Sequence, residues 1–140
     1  VRLKELSKSI NAESILDELA LNLQEHVELL EEVRKIIALN RASRNYNINL
    51  LLDAMSRLRS NRAKIMANLE FIMNIDIYPH QVDDLIALLG YYVEIAFSNE
   101  RKLLLEVRKF INIDNDIEEL NRTRDTASEI LARTSSTTIR

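Results

Sequence analysis

An all-α antiparallel bundle of three long helices and one shorter one, running up-down-up-down, is the fold this sequence predicts. Three observations predict it. Residues 14–74 hold no glycine and no proline, and the whole chain has one of each. Leu16, Leu23, Leu30, Ile37, Leu51, Leu58, Ile65 and Ile72 fall on a seven-residue repeat broken only at Arg44. Ala20, Val27, Ile48, Met55 and Leu69 form a weaker second stripe, interrupted by Arg34, Arg41 and Arg62. Apolar repetition of this period, kept over many turns, is the pattern of packed helices. Sheets and loop-built sites need more turn residues than this chain has.

Each element follows from local residues. Leu3, Leu6 and Ile10 are spaced for one helical face and predict a short lead-in helix. Ser14 with Asp17 three positions on reads as a capping box, so the first long helix is expected over 14–44. Its apolar face is Leu16, Leu19, Leu23, Val27, Leu30, Val33 and Ile37, with His26 beside it. Asn45, Asn47 and Asn49 weaken the helix through their short polar side chains and predict a turn at 45–49. The alternative is one continuous helix over 14–74, roughly 90 Å long at 1.5 Å per residue.

The second helix is expected over 48–74, with Leu51, Met55, Leu58, Ile65, Leu69 and Ile72 inward. Pro79, favourable at a first helical position, starts the third, which is expected to reach Asn112. Gly90 lies inside it and allows a close helix approach or a bend. Asn115 with Glu118 suggests a capping box for a fourth helix over 116–132. Residues 1–133 are expected to form one domain, and 134–140 a polar tail or linker. The hexamer at 32–37 is echoed at 106–111, a faint sign of internal repetition.

Composition excludes several kinds of chemistry. The chain has 140 residues, 46% apolar and 29% charged, with a net charge of −3. That is ordinary globular composition for one domain, and the total gives nucleic-acid binding no support. There is no cysteine, so disulfides and thiolate metal sites are ruled out. A membrane span needs about 20 apolar residues, and the longest run, Leu85 to Val93, falls far short. No signal peptide is visible. The sequence starts at Val1 and ends at Arg140 without a natural stop, which suggests a piece of a longer protein.

No catalytic pattern is found. A carboxylate-bridged dimetal bundle needs Glu three residues before His. Leu23 precedes His26 and Ile77 precedes His80 at that distance. A nucleophile elbow and a phosphate loop both need glycines that are absent. The chain is therefore expected to be no enzyme and to hold no cofactor or metal.

Charge patterning supplies the candidate site residues. Residues 13–32 carry seven acids and no Lys or Arg. Arg41, Arg44, Arg57, Arg59, Arg62 and Lys64 follow, against Asp53 alone. Arg41, Arg44, Arg57, Arg59 and Lys64 form a candidate basic surface. A match between an acidic first helix and a basic second helix is the plainer explanation. Arg62 stands apart, because it interrupts an apolar stripe, as Glu100 does in the third helix. Such buried charges must be paired or reach water. Arg62, Glu100 and His26 are the candidate interhelical polar or anion-binding group. In a simple hairpin of the second and third helices, Arg62 and Glu100 are offset by ~15 Å along the axis, so their pairing requires shifted helices or two subunits. Tyr91, Tyr92, Phe97 and Phe71 read as ordinary core aromatics rather than a cage.

The leading function is a non-catalytic module for contact with a protein partner or with itself. Leu19, Leu29, Ile36, Leu88 and Leu104, flanking the main stripes, suggest a homodimer. The alternative is a ligand-sensing bundle of a larger receptor in signal transduction, with a small anion as ligand. Termini together at one end with an internal pocket would favour the receptor.

Overall fold

The computed structural model describes residues 2–42 and 47–139, with side-chain burial described for 13–42 and 47–134. Helix α1 spans Arg2–Ala42 and α2 spans Ile48–Met73. Helix α3 spans Pro79–Tyr91, a π-helical turn covers Tyr92–Ala96, and α4 spans Phe97–Val107. These three pieces make one rod. Helix α5 spans Asp114–Ile139. The result is a four-helix, up-down-up-down bundle, with no strand among the described residues.

The helix boundaries have local causes. Helix α1 begins at Arg2, so Ser14 and Asp17 lie inside it and cap nothing. The lead-in and first long helix are one element. Helices α1 and α2 are separate and pack on each other, which excludes the continuous rod over 14–74. Residues 43–46 of the expected turn, Arg44 included, lie outside the described residues. The asparagine effect is visible at Asn47, whose side chain accepts the Leu50 N–H at 3.3 Å and caps α2.

Pro79 is the first residue of α3, and the Gln81 side chain accepts the Tyr78 N–H at 3.2 Å. The π turn is set by Phe97 N–H donating to the Tyr92 carbonyl, five residues back. Gly90 makes no close approach, since a Cβ there would meet nothing within 4 Å. The third rod ends at Val107, short of Asn112, because the chain turns through 108–113 and Ile113 buries itself in the core. The Asn112 side chain accepts the Asp114 N–H at 3.0 Å, so the expected box at Asn115 and Glu118 falls inside α5. Helix α5 runs on to Ile139 rather than stopping at Ala132.

Neighbour relations decide how the site is built. Helix α1 packs on α2, α2 on α5, and α5 on the third rod, which returns to α1. Helix α2 and the third rod therefore face each other across the diagonal, and the 74–78 connection crosses the end of the bundle. Helix α1 and the third rod are parallel neighbours. Exposed Glu13 and His80 lie 3.8 Å apart and mark their common level. Helix α1 begins eleven residues before Glu13, and α5 continues beyond Thr134, so both project past the core at the same end.

The core is in two parts. One holds Leu30, Val33, Ile37, Met55, Leu58 and Leu104; the other holds Leu19, Leu23, Ile65, Leu69, Leu89 and Tyr92. Fully burying such side chains contributes about 1.5–3 kcal/mol each. Val27, expected inward, is 44% exposed, because the inner face of α1 turns toward Asn22 and His26. Leu19, Ile36 and Leu104 are buried, and Leu29 and Leu88 half-buried. These flanking residues belong to the chain's own core, so they do not form the dimer surface expected of them.

Candidate functional site

Between the two apolar parts lies a layer of buried polar side chains. Each helix breaks its stripe at this height. Helix α1 supplies Asn22 and His26, α2 supplies Asn61 and Arg62, and α4 supplies Glu100. Helix α5 supplies Asp116 and Thr123. Glu100 is fully buried and Arg62 is 1% exposed. The three residues singled out as an interhelical group are thus brought together.

Arg62 sits at the centre. Its Nη2 and Nε donate to Glu100 Oε2 at 2.7 and 3.2 Å. Its Nη1 donates to Asp116 Oδ1 at 3.1 Å and to Glu119 Oε2 at 3.5 Å. Arg59, at the edge, grips Asp116 with two bonds of 2.8 and 3.0 Å. The layer thus sets two arginines against the buried Glu100 and Asp116, with Glu119 at its rim. Four of the five Arg62 N–H groups are directed at the chain's own carboxylates. The pair forms within one chain, between helices that face each other across the diagonal, so it needs no second subunit.

His26 approaches Glu100 from the other side, with Nε2 2.5 Å from Oε1. Its tautomer follows from Asn61. The Asn61 Nδ2 donates to the Asn22 carbonyl at 2.9 Å, and that carbonyl only accepts. The same Nδ2 lies 3.0 Å from His26 Nδ1. His26 Nδ1 is therefore an acceptor, and its proton sits on Nε2, facing Glu100. An Nδ1–H would face a second donor, and turning the Asn61 amide would set oxygen against oxygen.

These contacts govern ionisation. Burial works against a charge on Glu100, but His26 and Arg62 outweigh it and hold its carboxyl below the ordinary range. Burial also opposes the Arg62 charge, and Glu100 and Asp116 more than restore it. Burial and the Glu100 charge push the Tyr92 phenol up, eased in part by Arg62 and Thr123. Pairing thus favours the charged forms of both Glu100 and Arg62 despite their burial.

The candidate basic surface is dispersed. Arg41 pairs with Glu106 on α4. Arg57 donates to Glu32 on α1 at 2.8 Å, which lowers the Glu32 pKa, and also reaches Asp53. That is the match of acidic and basic helices expected from the sequence, but Arg59 and Arg62 turn to α4 and α5 instead. Lys64 is exposed beside Glu25, Glu28 and Glu32. Of the aromatics, Tyr92 is buried, Phe97 lies under the Arg124 guanidinium at 4.5 Å, and Phe71 is exposed. They form no cage.

Asp116, Asn61, Asn22 and Thr123 were not singled out from the sequence. Their signal was present: each is a polar residue in step with apolar neighbours three or four positions away. Among the described residues, no group of three His, Cys, Asp or Glu is placed to hold a metal, and no helix is long and apolar enough to cross a membrane. An open groove of about 550 Å³ separates α1 from α4, lined by Arg34, Arg41, Lys102 and Leu105. Comparison with protein-family models, curated proteins and solved structures finds no match.

Proposed function

We propose that the chain is a non-catalytic helical interaction module that associates with itself. The observation that carries this reading is apolar surface left outside the bundle. Leu21, Val27 and Leu39 on α1 are 54%, 44% and 65% exposed, and Ile95 and Leu105 on the third rod are half in water. The buried charges are used on one another, so the working surface is the outside of the helices. Sedimentation equilibrium at micromolar concentration tests this. A concentration-dependent mass rising above 16.3 kDa is expected. A single species at the chain mass would overturn it.

A second reading is favoured by one observation. Helices α1 and α5 project past the core at the same end, as the input and output of a sensing bundle in a larger receptor would. Its pocket would be the shallow cleft of about 240 Å³ beside Arg62, Arg122 and Thr123. A thermal-shift screen of small carboxylates and phosphates tests it. Stabilisation lost in an Arg122→Ala variant supports it, and no stabilisation by any anion counts against it.

A further inference from the structure

We propose that two copies pair through α1, antiparallel, about a two-fold axis beside Val27. This rests on the self-association reading and names its surface and partner: a second copy of this chain.

The motive is the part of the second stripe that lies on α1, Ala20, Val27, Arg34 and Arg41, which the bundle leaves outside. From Glu13 to Arg41, residues spaced alternately four and three apart lie in one row along a helix. Every one of them is exposed. The row opens with Glu13 and Asp17 and closes with Arg34 and Arg41. Its middle is Ala20, Gln24, Val27 and Glu31, the last paired with Arg34 in the same row, and Ala38 lies further on. Small side chains let two helices approach, and Val27 is the apolar residue at the centre.

The charges select the direction. Residues 13–32 carry seven acids and no Lys or Arg, while 33–42 carry Arg34, Lys35 and Arg41 and no acid. A parallel pair would set Glu13 against the partner's Glu13. An antiparallel pair with Val27 on the axis sets Glu13 against the partner's Arg41, twice by symmetry. Surfaces meeting by a two-fold must be self-complementary, and this row is. The groove beside the row extends the same fit to α4, adding Lys102 to the cations. Arg34, Arg41 and Lys102 line it over an apolar floor of Ile37, Leu103 and Leu105. In the antiparallel arrangement the partner's Glu13 and Asp17 come over those cations. The pairs Arg41–Glu106 and Arg34–Glu31 occupy two of them now, but both are exposed. Exposed pairs contribute little and exchange readily.

The test uses the chain's lack of cysteine. A Val27→Cys variant has one thiol, which the axis places opposite its own copy. Under mild oxidation it is expected to form a covalent dimer, whereas Leu52→Cys, on the exposed side of α2, stays monomeric on a denaturing gel. Glu13→Arg alone and Arg41→Glu alone are each expected to weaken association about tenfold, since two contacts per dimer turn repulsive. The double variant E13R/R41E restores it. Both sites are exposed, and an unchanged far-UV spectrum checks that the variants fold. A wild-type dimer with no V27C cross-link, or with no recovery in the double variant, overturns this interface and leaves self-association standing. A wild-type monomer at all concentrations overturns both.

Discussion

Arg62 is held by carboxylates from two other helices, and removing it would leave the buried Glu100 with His26 alone, while Asp116 keeps Arg59. Breaking a buried pair in this way costs about 3–5 kcal/mol. Arg62→Met is expected to lose that much in urea unfolding. A loss near zero would mean that the arginine reaches solvent instead. Acid should act on the same residues. The folded Glu100 carboxyl lies below its ordinary value of 4.5. A depressed carboxylate contributes stability that is fully present above the unfolded value and is lost as pH falls through the folded one. Thermal stability should therefore hold above about pH 5 and fall progressively below 4.5. In Glu100→Gln that acid limb should be shallower. The sequence made Arg62 and Glu100 visible because each broke an apolar stripe. His26 was placed only beside the face, since one position of helical wheel does not separate half-buried from the 1% exposure observed.

At the scale of the element, periodicity located the interior of every helix but not the ends. Ser14 and Asp17 have the chemistry of a cap, yet α1 is already helical around them. A capping pattern inside a continuous helical sequence has no orphan N–H groups to satisfy. Asn47 shows the opposite case, where the cap is used. Asn47→Ala is expected to cost about 1 kcal/mol. Gly90 was read as a close approach or a bend, and it meets nothing. The irregularity comes two residues later, in the π turn at Tyr92–Ala96. Gly90→Ala should therefore stabilise the protein by about 0.5–1 kcal/mol, through the helix propensity regained. A loss of stability would show that the π turn depends on the glycine.

At the scale of the whole molecule, the number of helices and their alternating direction were legible, and far-UV circular dichroism should show well over half the residues helical. A substantial sheet signal would contradict the fold. Which helices are neighbours was not legible. An apolar stripe states which side faces inward, not which helix lies next to it. The short 74–78 segment serves a hairpin or a diagonal crossing equally well. The Arg62–Glu100 contact was hidden as well, since residues counted along two axes leave out the reach of two long side chains, each leaning toward the N-terminus of its own helix. Asp116 was missed for a related reason, since an acid near a helix start reads as a dipole partner until the opposite arginine is placed. The expected dimer flanks failed because a wide stripe serves a four-sided core as well as an outer seam.

The polar layer has a further consequence for how the chain finds one arrangement. A seven-residue repeat marks distance but gives no address. A helix slid by one repeat, roughly 10 Å, meets apolar surface of the same kind. The layer makes those positions unequal. Sliding any one helix would carry His26, Arg62 or Glu100 into a greasy stratum and strand its counterparts. A variant with leucine at all three positions, and asparagine at 116, should remain helical and melt no lower than the parent. Its amide spectrum, however, should split into several sets of peaks, as helices settle at more than one slide. A single sharp set would show that the connections between helices suffice to index them.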